Sequence, residues 1–286
     1  MIFLRRMRVA IGWKSGTAAC LAALCAGPAL AQQDWRANTQ SAPAPTSDTY
    51  IVTLNANGIV SPSFAGSDRL SGAGFPSLSF RRAGEPARFA APDDGISISI
   101  LENPTFRAGA VFRLQAGRYL ADDKLLFGLR KLNYDIESGV FVEYWPVSFI
   151  RARVEVRHGF RDDSGFTGLV GVDYVQPFGQ FVLSIGPRLY LGDKRYTDRL
   201  FGVRPDEAAL NGLVTPYSAG GGLTGAGFTG AVTYQWNDTW STTGYINYKR
   251  LTGDAADSPI VTRIGSKDQY TFGAKVSYSF GFTPWW

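Results

Sequence analysis

The chain of 286 residues has little cysteine and histidine: Cys20, Cys25 and His158 are the complete set. Zinc centres are built mainly from clusters of these residue types, so the sequence predicts no metal site and no cofactor. Long apolar runs are lacking as well. Beyond the first 31 residues, no segment offers the ~18 consecutive apolar residues that a membrane-spanning helix needs, which excludes a helical membrane protein.

The first 31 residues have the pattern of a secretory signal peptide. Four bases accompany an apolar stretch from Thr17 to Leu30, and Ala29-Leu30-Ala31 is a typical cleavage site. We therefore predict a cleaved signal over residues 1–31, and both cysteines would leave with it. The exported protein would have no disulfide, so other interactions must stabilise it.

Most of the excess positive charge of the chain lies in the predicted signal peptide. The full chain has 29 Lys and Arg residues against 24 Asp and Glu, and four of the bases lie in the signal. The remaining 25 bases against 24 acids give no reason to expect a nucleic-acid partner. Residues 32–48 are polar, with proline and alanine, and are predicted to form a flexible periplasmic tail before a single domain at 49–286.

Alternation of apolar and polar residues is the main pattern from Thr49 onward. In residues 149–160, FIRARVEVRHGF, apolar side chains occupy one parity and charged ones the other. Such alternation is typical of a β-strand with one apolar and one polar face. Similar segments occur at 50–58, 75–82, 86–91, 95–101, 106–116, 138–145, 166–175, 181–191, 228–236, 240–250 and 270–280, and the pattern is weakest at 86–91.

Repeated alternating segments of about ten residues in an exported chain are typical of a transmembrane β-barrel. We predict an all-β fold: a single antiparallel up-and-down barrel of about twelve strands in outer-membrane lipid. Short links alternate with longer ones, so we expect short periplasmic turns and long extracellular loops. The alternative is a soluble β-sandwich, which would have to bury about a dozen apolar faces. The aromatic face of 270–280 would point to lipid and its polar face to the lumen.

Two loop segments and the last strand carry a family resemblance. They are GDKRYTDRLFGV with PDEAALNGL (192–203 and 205–213), RLTGDAADSPIV (250–261) and YTFGAKVSYSF (270–280). In them the chain resembles the MipA/OmpV family of outer-membrane proteins, also called MltA-interacting proteins. The family loop motifs fall on Asp193, Tyr196, Asp198, Phe201, Gly202, Asp254, Asp257, Ser258 and Pro259.

The resemblance implies an outer-membrane barrel and no known catalytic residue. One family member is described as a scaffold that links a lytic transglycosylase to a murein synthase, and others are treated as porin-like or adhesive surface proteins. The last strand also looks like the assembly signal that the outer-membrane insertion machinery reads, at Thr271, Gly273, Val276, Tyr278 and Phe280. Six residues, GFTPWW, follow Phe280, where such barrels usually end.

Charged residues of inward parity dominate the predicted lumen. They are eight bases and three acids: Arg107, Arg113, Arg151, Arg153, Arg157, Arg188, Lys249, Lys275, Glu143, Glu155 and Asp173. A barrel of intermediate size is either filled by side chains or open. Two interpretations follow: a charge network that stabilises the wall, or a narrow passage that prefers anions.

The predicted function is a non-enzymatic scaffold or anchor for murein-remodelling enzymes, with a small-solute channel as the alternative. An adhesin is a further alternative. A surface lipid hydrolase would have to use His158 with Ser138 across a hairpin, but no triad motif accompanies them, and an interfacial histidine is the simpler interpretation. Pro205 and Gly212 predict a short helix between them, within a long loop that would cover the barrel mouth.

Overall fold

A computed structural model of the protein describes residues 49–84 and 87–283, so the predicted signal peptide (1–31) and tail (32–48) lie outside the described residues. One antiparallel sheet of eleven strands makes up most of the fold. The strands are β1 (Tyr50–Pro62), β2 (Leu70–Arg82), β3 (Ile96–Glu102), β4 (Phe106–Gln115), β5 (Asp135–Val147), β6 (Ile150–Gly159), β7 (Phe166–Phe178), β8 (Phe181–Gly192), β9 (Gly222–Gln235), β10 (Trp240–Leu251) and β11 (Asp268–Phe282).

The two ends of the sheet differ in their connections. At one end, which we call the turn end, the links are 103–105, 148–149, 179–180 and 236–239. At the other, the loop end, they are 63–69, 116–134, 160–165, 193–221 and 252–267. The described loop end carries four short α-helices: α1 (Lys194–Phe201), α2 (Pro205–Asn211), α3 (Gly253–Asp257) and α4 (Pro259–Ile264).

The predicted short helix is confirmed as α2. Pro205 is its first residue, and Glu207 accepts a hydrogen bond from the Arg204 backbone amide at 2.8 Å. Gly212 ends the helix in the left-handed conformation, with φ of 72°, where a side chain would be strained. Local sequence signals are sufficient for this element because both helix ends depend on neighbouring residues alone.

The sheet curls so that elements near its two edges meet. In strand order β2-β1-β11-β10-β9-β8-β7-β6-β5-β4-β3, the 63–69 loop belongs to one edge and the 116–134 loop to the other. Phe64 nevertheless packs in one cluster with Leu126, and Arg69 lies 3.0 Å from Asp123. The curled sheet, which we call the wall, therefore has a concave inner side and a convex outer side. The loops and helices of the loop end pack in two hydrophobic clusters, which together we call the cap.

The two sides of the wall have opposite chemistry. On β5, for example, Val140 is 62% exposed on the outer side, whereas Phe141 and Glu143 are buried on the inner side. On β11, Phe272, Val276 and the other apolar residues of that parity are exposed on the outer side. An apolar exterior around a charged interior is the inverse of a soluble sheet protein.

The structure has eleven strands in its described residues, against the predicted number of about twelve, and the difference lies between β2 and β3. These two strands follow one another in the chain but form opposite edges of the sheet, and both run from the loop end to the turn end. The connecting chain must therefore return towards the loop end. Residues 87–95 do so on the concave side, where Ala91 is buried.

The prediction of a strand at 86–91 is thus wrong for residues 87–91, the part of this segment that the structure describes. A wall strand that continued to Ile96 would place the consecutive residues Asp93 and Asp94 on opposite faces. One carboxylate would then lie among the apolar side chains of the outer side, where an unpaired charge is unfavourable. On the concave side both carboxylates find arginine partners.

Candidate functional site

The largest polar assembly of the fold is a buried ion network on the concave side of β4–β8. Strand register creates it: on β6, Arg151 lies opposite Asp173 of β7, and Arg153 lies opposite Glu143 of β5. Glu155 stands between the two arginines Arg153 and Arg157 and is 0% exposed. The network consists of six arginines and six carboxylates: Arg107, Arg113, Arg151, Arg153, Arg157, Arg188, Asp93, Asp94, Glu137, Glu143, Glu155 and Asp173.

Distances within the network are those of charge-assisted hydrogen bonds. Arg151 Nη1 lies 2.8 Å from Asp173 Oδ2, and Arg188 Nη2 lies 2.7 Å from Asp173 Oδ1. Arg153 Nη2 lies 2.8 Å from Glu155 Oε1. The guanidinium of Arg153 also stacks 4.2 Å from the ring centroid of Phe141, which adds a cation–π contact.

Equal numbers of acids and bases keep this buried assembly neutral. The predicted excess of inward bases does not hold in the network, because Asp93, Asp94 and Glu137 join it. Glu137 could have been predicted from the sequence, because it has the same inward parity as Glu143. The expected strand, 138–145, began too late to include it, since β5 begins at Asp135. No local signal marks Asp93 and Asp94, because they reach the network from outside any strand.

Lys249 and Lys275 face the concave side but lie outside the ion network. Lys249 Nζ lies 4.4 Å from the ring centroid of Tyr190, and Lys275 has Asn57 and Thr243 as its cross-strand neighbours. Small uncharged polar residues surround these lysines on β1, β9, β10 and β11: Thr53, Asn55, Thr229, Thr233, Asn247, Ser277 and Ser279. The concave side therefore has a charged half and an uncharged polar half.

The family loop motifs build the cap at the loop end. Asp193 Oδ1 accepts the Tyr196 amide at 2.7 Å and so caps α1, while its Oδ2 accepts the Phe166 amide at 2.9 Å. Asp198 Oδ1 accepts the Ala219 amide at 2.9 Å. Gly202 ends α1 where a Cβ would come 2.5 Å from a backbone oxygen, so a larger residue does not fit there.

The second family segment fastens the other side of the cap. Ser258 is fully buried; its hydroxyl donates to the Phe201 carbonyl at 2.6 Å and accepts from an amide in the first turn of α4, which begins at Pro259. Asp254 Oδ2 accepts the Gly220 amide at 2.5 Å. Asp257 forms an exposed ion pair with a lysine. The contacts of Ser258 and Asp254 join one loop segment to another, so these residues hold the loops together.

Two arginines from the 116–134 loop support the C-terminal end of α1. Arg118 Nη1 donates to the Leu200 carbonyl at 2.8 Å, and Arg130 Nη2 donates to the Asp198 carbonyl at 2.7 Å. Cations at this end satisfy free carbonyls and the negative end of the helix dipole. Burial, with repulsion from Arg130, lowers the pKa of Arg118 to about 10. No local sequence signal marks these arginines, because they act through distant backbone atoms.

The remaining candidate residues lie apart from both assemblies. His158 is paired with Ser138 across β5 and β6, as expected, and its ring packs 4.6 Å from that of Phe166. The assembly-signal residues lie on β11, with Val276, Tyr278 and Phe280 on the outer side and Thr271 and Gly273 on the inner side. Within residues 49–84 and 87–283, no group of three metal-ligating side chains is present and no helix could cross a bilayer.

Comparison with known proteins identifies the family. The sequence model of the MltA-interacting protein MipA matches residues 54–280, which span β1 to β11. The chain belongs to the MipA family. This confirms the resemblance inferred from the loop segments and the last strand. A search of curated proteins found no match.

Solved structures similar to this MipA-family chain are remote. The NanC porin has 10% identity and a TM-score of 0.37, and the match covers 82% of this chain and 100% of that one. The CymD monoaromatic hydrocarbon channel has 9% identity and a TM-score of 0.36, with 88% and 92% covered. An outer membrane channel from Pseudomonas putida F1 has 10% identity and a TM-score of 0.33, with 88% and 100% covered. Likeness at this level carries no information about function.

Proposed function

We propose that this MipA-family chain is an outer-membrane β-barrel protein that anchors a murein-processing enzyme at the periplasmic face. The observation that supports a membrane position is the inverted wall. Apolar side chains cover its outer side, while Glu155 and its arginine partners are buried inside. In water the outer side would be a large unfavourable apolar surface, whereas in lipid it is the surface a barrel needs.

Tryptophan positions allow a direct test of this orientation. Trp240 lies on the outer side of β10, 44% exposed, whereas Trp145 points inward from β5 and is 6% exposed. In lipid vesicles, bromine atoms placed in the upper acyl chain should quench a single-tryptophan variant that keeps Trp240. The matched variant that keeps Trp145 should be quenched far less. Equal quenching of both, or failure to insert, would reject the membrane barrel.

The anchoring role comes from the family, whose description names an interaction with MltA. In this orientation the cap occupies the extracellular end, and the turn end would face the periplasm. A partner would then bind the short turns at that end. Such a contact is small for a stable complex, so we expect a transient one.

Photo-crosslinking in intact cells tests the anchor. A crosslinking residue at Gln180 or Asp238, both in turns at the turn end, should capture a lytic transglycosylase. The same residue at Asp162, in a loop at the opposite end, is the matched control and should capture none. Capture at neither end, in protein that has inserted normally, would reject the anchoring role and leave the barrel intact.

A narrow channel is the second candidate, and the uncharged polar half of the concave side favours it. Lys249 and Lys275 are the positive charges there that lie outside the balanced ion network. In a confined passage they would favour anions, with screening at high salt. Planar-bilayer measurements should then give an anion preference that Lys275→Gln reduces. Absence of conductance in inserted protein would reject the channel.

A further inference from the structure

Residues 87–95 occupy an unusual place for a connection between strands of a membrane wall. They join two edge strands that run in the same direction, and they cross the concave side to do so. The hydrogen bond from Asp94 N to Ala91 O, at 3.0 Å, forms a local turn within the segment. Its attachments to the wall run through side chains rather than through a β-ladder.

Two carboxylates provide the strongest of these attachments. Asp93 binds Arg188 in a fork, with Nε to Oδ2 at 2.8 Å and Nη2 to Oδ1 at 3.1 Å. Asp94 pairs with Arg151 and lies 3.6 Å from Arg153. Planar, two-point pairing of this kind is how arginine recognises free carboxylate and phosphate ligands.

Aromatic and backbone contacts fix the rest of the segment. The Phe89 ring lies edge-on to Trp145, with centroids 6.2 Å apart, and the Arg151 guanidinium lies 5.3 Å from the Phe89 centroid. At the other end of the segment, the Gly95 amide donates to Glu155 at 3.2 Å. The segment therefore fills the space above the charged half of the concave side.

Removal of the two carboxylates would change the charge of that half. With Asp93 and Asp94 the network has six arginines and six acids, and without them it has six arginines and four acids. The freed positive charge would lie on Arg151, Arg153 and Arg188. These side chains would face a space large enough for the chain segment that now fills it.

We infer that residues 87–95 are an internal plug, and that Arg151, Arg153 and Arg188 form an anion site that the plug's own carboxylates occupy. The inference rests on the proposed membrane barrel and adds to it a pathway that this segment narrows. The ligand class is a small anion with carboxylate or phosphate chemistry, and chloride suffices as a probe. The plug competes with such anions for the same guanidinium groups.

Conductance of purified protein in planar bilayers tests the plug. The double substitution Asp93→Asn with Asp94→Asn keeps side-chain size and removes both charges. We expect a larger single-channel conductance than in the unmodified protein and a reversal potential in a KCl gradient that shifts towards that of chloride. Addition of Arg188→Gln to this double variant should move the reversal potential back, because it removes part of the freed charge.

Matched variants separate this effect from general loss of charge or of folding. Asp68→Asn with Asp162→Asn removes two acids from exposed loops at the loop end and should leave conductance unchanged. Asp93→Glu with Asp94→Glu keeps the charges and should give the same conductance as the unmodified protein. Folding is checked by the heat-dependent shift in gel mobility, and the single variant Asp93→Asn replaces the double one if that fails to fold.

Insertion is measured separately, through quenching of Trp240 by brominated lipid. Protein that does not insert contradicts the membrane barrel itself. Inserted, folded Asp93→Asn/Asp94→Asn protein whose conductance and selectivity equal those of the unmodified protein would overturn the plug and leave the barrel standing. A cation preference in that variant would overturn the anion site.

Discussion

Glu155 is the position at which the ion network can be perturbed most cleanly. Its carboxylate contacts Arg153 at 2.8 Å, pairs with Arg157 and lies 3.5 Å from Arg113, with no exposure to solvent. Glu155→Gln keeps the volume of the side chain, so no cavity forms. It leaves the guanidinium groups of Arg113, Arg153 and Arg157 short of one negative charge. Removal of one member of a buried ion pair costs about 3–5 kcal/mol, and we expect a loss of this size in the free energy of unfolding.

The assay is urea unfolding of the protein in lipid vesicles, followed by tryptophan fluorescence. The control is Asp257→Asn, which breaks the exposed pair with Lys267, whose atoms are 3.3 Å apart. A surface change of this kind should alter the free energy of unfolding by no more than about 0.5 kcal/mol. Equal losses for Glu155→Gln and Asp257→Asn would refute the view that the network is closed to solvent and electrostatically balanced.

A second substitution distinguishes charge imbalance from loss of particular hydrogen bonds. Arg157→Met in the Glu155→Gln protein restores equal numbers of bases and acids, five of each, in the network. We expect the double variant to lose less stability than the sum of the two single variants, by about 0.5–3 kcal/mol, since neighbouring charges couple. Strictly additive losses would show that each contact acts independently of the net charge.

Three further predictions concern the wall and the cap. Gly186→Ala should abolish folding because a Cβ at this position would overlap the Val172 carbonyl oxygen. Gly244→Ala should fold, because no atom lies within 4 Å of the added Cβ. Heat-dependent gel mobility compares the two variants, and equal folding would contradict the predicted overlap. Burial raises the pKa of Tyr196 from 10.0 to about 12, so its contribution to stability is complete below pH 10 and lost as the pH rises through 12. Unfolding measured across this range should be less pH-dependent in Tyr196→Phe, and an unchanged pH dependence would show that Tyr196 does not contribute. Ser258→Ala leaves a buried carbonyl at the end of α1 without its donor and should cost about 1–3 kcal/mol, visible as faster proteolysis of the loop end; unchanged cleavage would contradict the role of Ser258 as a fastener.

The ion network explains how the polar interior of the wall is kept ordered. Buried ion pairs add little net stability, because desolvation offsets their attraction. They do impose geometry: each arginine on β6 has a carboxylate partner from a neighbouring strand or from residues 87–95. A shift of register by one residue would turn these charges to the outer side, so the network favours one register.

The cap gives the family loop motifs a physical meaning. Asp193 and Ser258 cap helices, and Asp254 ties the glycines before β9 to α3. Backbone hydrogen bonds constrain residues of this kind. A family motif in a loop therefore does not by itself indicate a reaction centre in this protein.

Local sequence patterns determined most of the wall. Eleven of the twelve alternating segments correspond to strands, although several strands extend beyond the expected bounds. Alternation of apolar and polar residues indicates which face of a strand each residue occupies, because side chains point to the same face at every second residue. This holds whichever strands are its neighbours. The inward positions of Arg151, Arg153 and Glu155 follow from that rule, and so does the apolar outer face of 270–280.

Tertiary structure alone decided how those inward charges are balanced. Asp93 and Arg188 are 95 positions apart in the chain, and no periodicity connects them. The path of residues 87–95 across the concave side depends on the direction of β2 and β3 in the assembled sheet, which is a property of strand order and not of any segment. Parity is local, whereas charge pairing and the path of a connection depend on which distant residues the folded sheet brings together.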